Sequence, residues 1–191
     1  MIYEALTCIT EELNDYFRTK LSITEEKIVL SGLVNMDGTT AIPGENKIVI
    51  TLVNLEKETA HKLPTKGVSS VFGTQNPTLQ MNAYVLFSAY FSSNNYPEAL
   101  RFISFIIAYF QSKNVFTKSN TPGMDSKLDK LTFEIADLST DSLSNMWSAL
   151  GAKYMPSILY KMRMLNFDES VVREFRPRAL KLNNDNKPAE S

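Results

Sequence analysis

The most constraining segment is Lys47–Glu56, KIVITLVNLE. Ile48, Ile50 and Leu52 alternate with Val49, Thr51 and Val53, so both faces of the strand it predicts are mostly apolar. Such a strand is stable only when it is covered on both sides. A layered α/β architecture follows, with elements packed above and below a sheet.

The rest of the chain supplies those elements. Ile2, Leu6, Ile9, Leu13 and Phe17 recur at steps of three and four, which predicts an amphipathic helix from residue 2 to Arg18–Lys20. Lys27–Asn35 is rich in β-branched residues and closes on Met36-Asp37-Gly38. With the Asp-Gly and Pro-Gly turn formers that follow, it predicts an antiparallel partner for Lys47–Glu56 across a ten-residue loop. Met81–Phe91 predicts a third strand. Asn95, Pro97 and Glu98 have the spacing of a helix start with a capping box, and that helix should run to Ser112. It is apolar nearly all round: Leu100, Ile103, Ile107 and Phe110 on one face, Phe102, Phe105, Ile106 and Tyr109 elsewhere. A helix of this kind needs cover on more than one side.

Ser112–Lys130 reads as a polar loop and Lys130–Ile135 as a short strand. Ser139 is placed to cap a third helix whose stripe is Leu143, Met146, Trp147 and Leu150, with Leu138 and Leu143 as a hydrophobic staple and Gly151 as the stop. Ser157–Leu165 is the last strand. The expected fold is α+β, a mixed or antiparallel sheet with packed helices, in one domain over residues 1–167. Residues 168–191 read as an extended C-terminal arm and a disordered tail. Lys57–Gln80 lacks periodicity and holds Pro64, Gly67, Gly73 and Pro77; a loop this long is rarely idle.

Catalytic patterns are sparse. The one histidine, His61, and the one cysteine, Cys8, do not make a zinc site, and Cys8 lies by the apolar stripe of the first helix, where a thiol is inert. No phosphate-binding glycine pattern occurs. Asp37-Gly38 reads as a turn, and Glu11-Glu12 and Glu25-Glu26 as solvated surface. Asp125 and Asp129 lie in a loop with no visible acid–base partner. No catalytic, cofactor-binding or metal-binding residue is therefore assigned. A net charge of −1 provides no field to attract nucleic acid, and no apolar run is long enough to span a membrane. The N-terminus does not read as a signal peptide, so synthesis and folding in the cytoplasm are expected.

Three stretches carry a resemblance: VLSGLVNMDGTTAIPGENKIVITLVNLEKE, EALRFISFIIAYFQSKNVFTKSNTPGMD and LSNMWSALGAKYMPSILYKMRML. Together, over Met1 to Phe167, they resemble the tail-terminator, or cap, family of phage-tail-like contractile injection systems of the antifeeding-prophage and virulence-cassette kind. The resemblance implies a phage tail-terminator-like fold and a structural role without enzyme activity or cofactor. It implies a hexameric ring on the end of the inner tube that contacts the sheath and stops the growth of both. The partners would be copies of the chain itself, the tube protein and the sheath protein, and the protein would end as part of a particle that can be extracellular. Some relatives continue into a further domain, and this sequence ends soon after Phe167, which leaves that domain's role open here. Two rival readings stand beside this one: a baseplate or adaptor component of the same particle, and a monomeric small-ligand-binding protein with a pocket near Cys8, Tyr84 and Trp147.

Overall fold

The structure is a computed structural model that describes residues 1–58 and 79–167. Helix α1 (Ile2–Leu21) comes first, then strands β1 (Ile28–Leu30), β2 (Lys47–Lys57) and β3 (Leu79–Tyr90). A 3₁₀ turn at Ser93–Asn95 leads into α2 (Tyr96–Ser112). Strands β4 (Val115–Thr117) and β5 (Lys130–Ile135), helix α3 (Thr140–Ala149) and strand β6 (Ser157–Phe167) complete the order. All six strands form one mixed sheet in the order β1-β2-β3-β6-β5-β4.

The α+β class expected from the sequence is observed, and β2 is covered on both faces. Ile48 and Ile50 join the core under α1 and α2, while Val49 joins a second cluster with Met146 and Trp147 of α3. The larger core is aromatic. Phe110 stacks on Phe133 with centroids 4.6 Å apart and meets Tyr160 at 4.6 Å, while Phe17 of α1 meets Phe102 at 5.1 Å. These rings tie both helices to the sheet, each pair adding to the burial of apolar area.

Two expectations about the strands fail. β1 and β2 are parallel, not antiparallel, with Ile28 opposite Ile48 and Leu30 opposite Ile50. The physical reason lies in the connector. β1 ends at Leu30, so residues 31–46 are free to cross back, and a parallel link needs roughly a dozen residues or more. Leu33 and Ile42 on that crossing are buried in the cluster around Trp147. Their apolar character serves this packing, not a longer strand. The second failure is β4, which lies within the segment read as a polar loop; Phe116, fully buried, anchors it against Phe110 and Phe133.

The helix boundaries are close to those expected, but one cap differs. Asn95 makes no capping bond; its amide donates instead to Asn46 Oδ1 at 3.2 Å, holding the left-handed residue that precedes β2. Ser139 does cap α3, accepting from the Ser142 N–H at 3.2 Å. Gly151 follows with φ +64°, a conformation that costs glycine little.

Candidate assembly surfaces

The residues singled out for chemistry do not converge. Cys8 is 4% exposed, and burial pushes its thiol pKa up, with Glu12 and Glu11 adding to the effect. Tyr84 and Trp147 pack on the opposite face of the sheet from Cys8, so the three do not share a pocket. His61 lies outside the described residues. Among the described residues no group of three or more His, Cys, Asp or Glu is placed to hold a metal ion. Nor is any helix there long and apolar enough to cross a membrane.

The acidic residues have structural partners. Asp37 forms the expected turn, its Oδ1 accepting from the Thr39 hydroxyl at 2.6 Å and the Thr39 N–H at 2.9 Å; those bonds hold its pKa below the usual range. Glu25 pairs with Lys27 at 2.7 Å, and Asp129 with Lys118 at 3.6 Å. Asp125 Oδ1 accepts from the Lys127 N–H at 2.7 Å. Glu12 departs from the expectation of solvated surface. It accepts from Lys113 Nζ at 2.5 Å and from the Tyr109 hydroxyl at 3.1 Å, joining α1 to the end of α2.

Two asparagines that the sequence did not single out bind backbone groups of the two terminal strands. Asn14 of α1 is 7% exposed; its Nδ2 donates to the Ile28 carbonyl at 2.9 Å, and its Oδ1 accepts from the N–H groups of Lys27 and Ile28 at 3.0 Å each. At the far edge, Asn120 donates to the Val115 carbonyl at 2.9 Å and accepts from the Thr117 N–H at 2.8 Å. Unpaired backbone groups on an edge strand invite pairing with another chain, and both terminal strands have such groups satisfied by a side chain. The only sequence signal for Asn14 is a polar residue beside Leu13 in an apolar stripe.

The described residues also present apolar side-chain surface for contact. On α2, Phe102 and Phe105 turn toward Phe17 of α1, whereas Phe110 turns toward Phe133 and Tyr160. At 100° per residue, Leu100, Ile103 and Ile107 share the Phe110 side. No helix covers that flank among the described residues: Leu100 is 45% exposed, and Ile103 and Ile107 are half-buried. Below it, Ile135 at the end of β5 is 52% exposed. Around the corner, on the α3 side, a groove of about 160 Å³ is lined by Leu138, Leu143, Met146, Ile158 and Leu159, among others. Ile158 of that lining also packs against the larger core. A second groove, about 320 Å³, runs between α1 and the β1 edge past Tyr3, Thr7 and Leu30.

Residues 4–181 match the model of the Pvc16 N-terminal domain family. The chain belongs to that family. Its match continues past Phe167, where the sequence placed the domain boundary. No curated protein matches the sequence significantly. Among solved structures, this Pvc16-family chain is similar to the PVC sheath/tube terminator of an extracellular contractile injection system in its extended state. The likeness has a TM-score of 0.53 at 12% identity and takes in 100% of this chain. The chain spans 65% of that terminator's length. The terminator-like fold expected from the resemblance is thus observed.

Proposed function

We propose that the protein is a structural component of a contractile injection system: the terminator that sits as a six-fold ring on the end of the inner tube, contacts the sheath and stops the growth of both. The observation that carries this reading is the agreement of a family match over residues 4–181 with a fold likeness to a sheath/tube terminator over the whole chain. The surfaces support it. A closed ring is built from heterologous contacts, which need two different sticky surfaces on each subunit. The half-exposed flank of α2 and the groove beside α3 lie on opposite faces of the sheet and provide such surfaces.

The volume of the apolar groove weighs against a small-ligand site there. Sites for small molecules usually enclose roughly 300–1,000 Å³ with a few convergent polar groups. The apolar groove is smaller than this. The larger one lies open along α1 and is lined by Thr7, Thr10, Glu11, Asn14 and Glu26 beside Tyr3 and Leu30.

Two segments outside the described residues belong to the proposal. The loop that joins β2 to β3 reaches a subunit or tube interface, and Val171–Leu182 of the arm reaches a neighbouring subunit or the sheath. The test is to label the protein with gold in intact particles and view them by electron microscopy. Label at the particle end away from the baseplate is expected. Label at the baseplate would replace this reading with the adaptor role.

A further inference from the structure

Met36 is fully exposed, more so than any other large apolar side chain among the described residues. The turn that carries it is nevertheless firmly held. Val34 bridges Thr40 across it, the Asn35 N–H donates to the Thr39 carbonyl at 2.8 Å, and the Gly38 N–H donates to the Asn35 carbonyl at 2.9 Å. The Asn35 amide donates to the Thr39 hydroxyl at 3.0 Å, and Asp37 Oδ1 accepts from the Thr39 N–H and hydroxyl. Gly38 takes φ +82°, which only glycine adopts at little cost. At the base of the turn, Leu33 and Ile42 are buried in the cluster of Val49 and Trp147. Met36 gains no burial from this scaffolding within its own chain. A fixed tip with an unbranched apolar side chain is a preformed knob, and a backbone already held in place loses less freedom on docking. Of the other exposed large apolar side chains, Leu138 lines the groove beside α3, Tyr154 rests on Trp147 at 5.7 Å, and the rest lie along helices or strands. Met36 alone stands on a projecting turn.

The groove beside α3 is the matching hole. At about 160 Å³ it has room for one large side chain, and its walls are mostly apolar. Knob and hole lie at opposite ends of α3. Val34, two residues before Met36, has its Cγ2 3.9 Å from where a Cβ on Gly151 would stand, just past the end of the helix. Leu138 and Leu143 of the groove stand at the start of the helix. Its ten residues span about 15 Å. The held turn keeps Met36 away from its own groove, and the full exposure of Met36 agrees. Building on the terminator reading, we infer that Met36 of one copy seats in the α3 groove of the next copy, between Leu138 and Leu143. A knob at one end of a layer and a hole at the other give the head-to-tail contact from which rings close. Methionine suits the position: it is enriched at interfaces, and its unbranched thioether chain adapts to an irregular slot.

The test puts Met36→Cys and Leu138→Cys in one full-length chain, assembles it into particles and treats them with a short bismaleimide. The linker joins thiols only across a close contact, and Cys8, buried, stays unmodified. A ladder of covalently joined copies is expected on a denaturing gel, and neither single substitution should give it. As a second measurement, Met36→Asp should lower the fraction of particles with a ring at the end at least several-fold, because a carboxylate does not enter an apolar slot unpaired. Met36→Leu should leave that fraction near normal, and both variants should keep the circular dichroism of the unsubstituted protein. End rings without the ladder, links to the tube or sheath protein in its place, or unchanged capping by Met36→Asp would overturn the groove assignment and leave the terminator reading standing. Particle ends that lack the unsubstituted protein would overturn both.

Discussion

Asn14 and Asn120 each satisfy backbone groups on a terminal strand of the sheet. Each uses both ends of its amide on backbone groups that an edge strand would otherwise present to another chain. Replacing a buried partner leaves those groups unsatisfied, at about 1–3 kcal/mol. Asn14→Ala should therefore lower the unfolding free energy by about that much in urea titrations; a change within about 0.5 kcal/mol, ordinary for a surface site, would contradict this role. Cys8 offers a second residue-scale check. Buried and held as the thiol, it should resist alkylation at neutral pH in the folded protein and react at once in denaturant. The burial of Cys8 and the capping role of Ser139 were legible in the sequence, because each follows from position in a local pattern. Asn14 was not, because its partners on β1 are brought to it only by the packing of α1 on the sheet.

At the scale of elements, all three helices and the long strands could be read from periodicity. The direction of β1 could not. Alternation within a strand says nothing about how the next strand is reached, and the choice is made where Leu33 and Ile42 bury themselves beside Trp147. β4 was hidden for a different reason: it is three residues long, and only Phe116 marks it. Trp147, 5% exposed, is the centre of the α3 layer. Trp147→Ala should cost about 3–5 kcal/mol through the cavity it leaves. A loss under about 1 kcal/mol would place the indole at a contact surface instead. On the other face, burial raises the Tyr160 hydroxyl from 10 to about 12. The unfolded chain would release this proton near pH 10 while the folded one retains it, so stability is unaffected by Tyr160 below that pH and falls as pH rises toward about 12. A phenolate absorbance titration should show this late ionisation, merged with alkaline unfolding.

For the whole molecule, the sequence disclosed the fold class, the family and the uncovered flank of α2. The groove by α3 was beyond it, since its walls come from β3, β6, α3 and the link between β5 and α3, and meet only in the folded chain. If the terminator reading holds, removing Pro64–Gly73 from the β2–β3 connection should impair ring formation or capping, scored by microscopy of assembled particles; unaltered rings and caps would remove that loop from the interface. Truncation after Asp168 should leave the folded domain intact by circular dichroism and weaken assembly, more visibly at high salt, where the remaining charge contacts are screened. The most direct test of the central claim is the length distribution of particles assembled without this protein. A terminator predicts tubes and sheaths of uncontrolled and often excessive length, restored to uniform length when the protein is supplied. Particles of normal, uniform length in its absence would contradict the account.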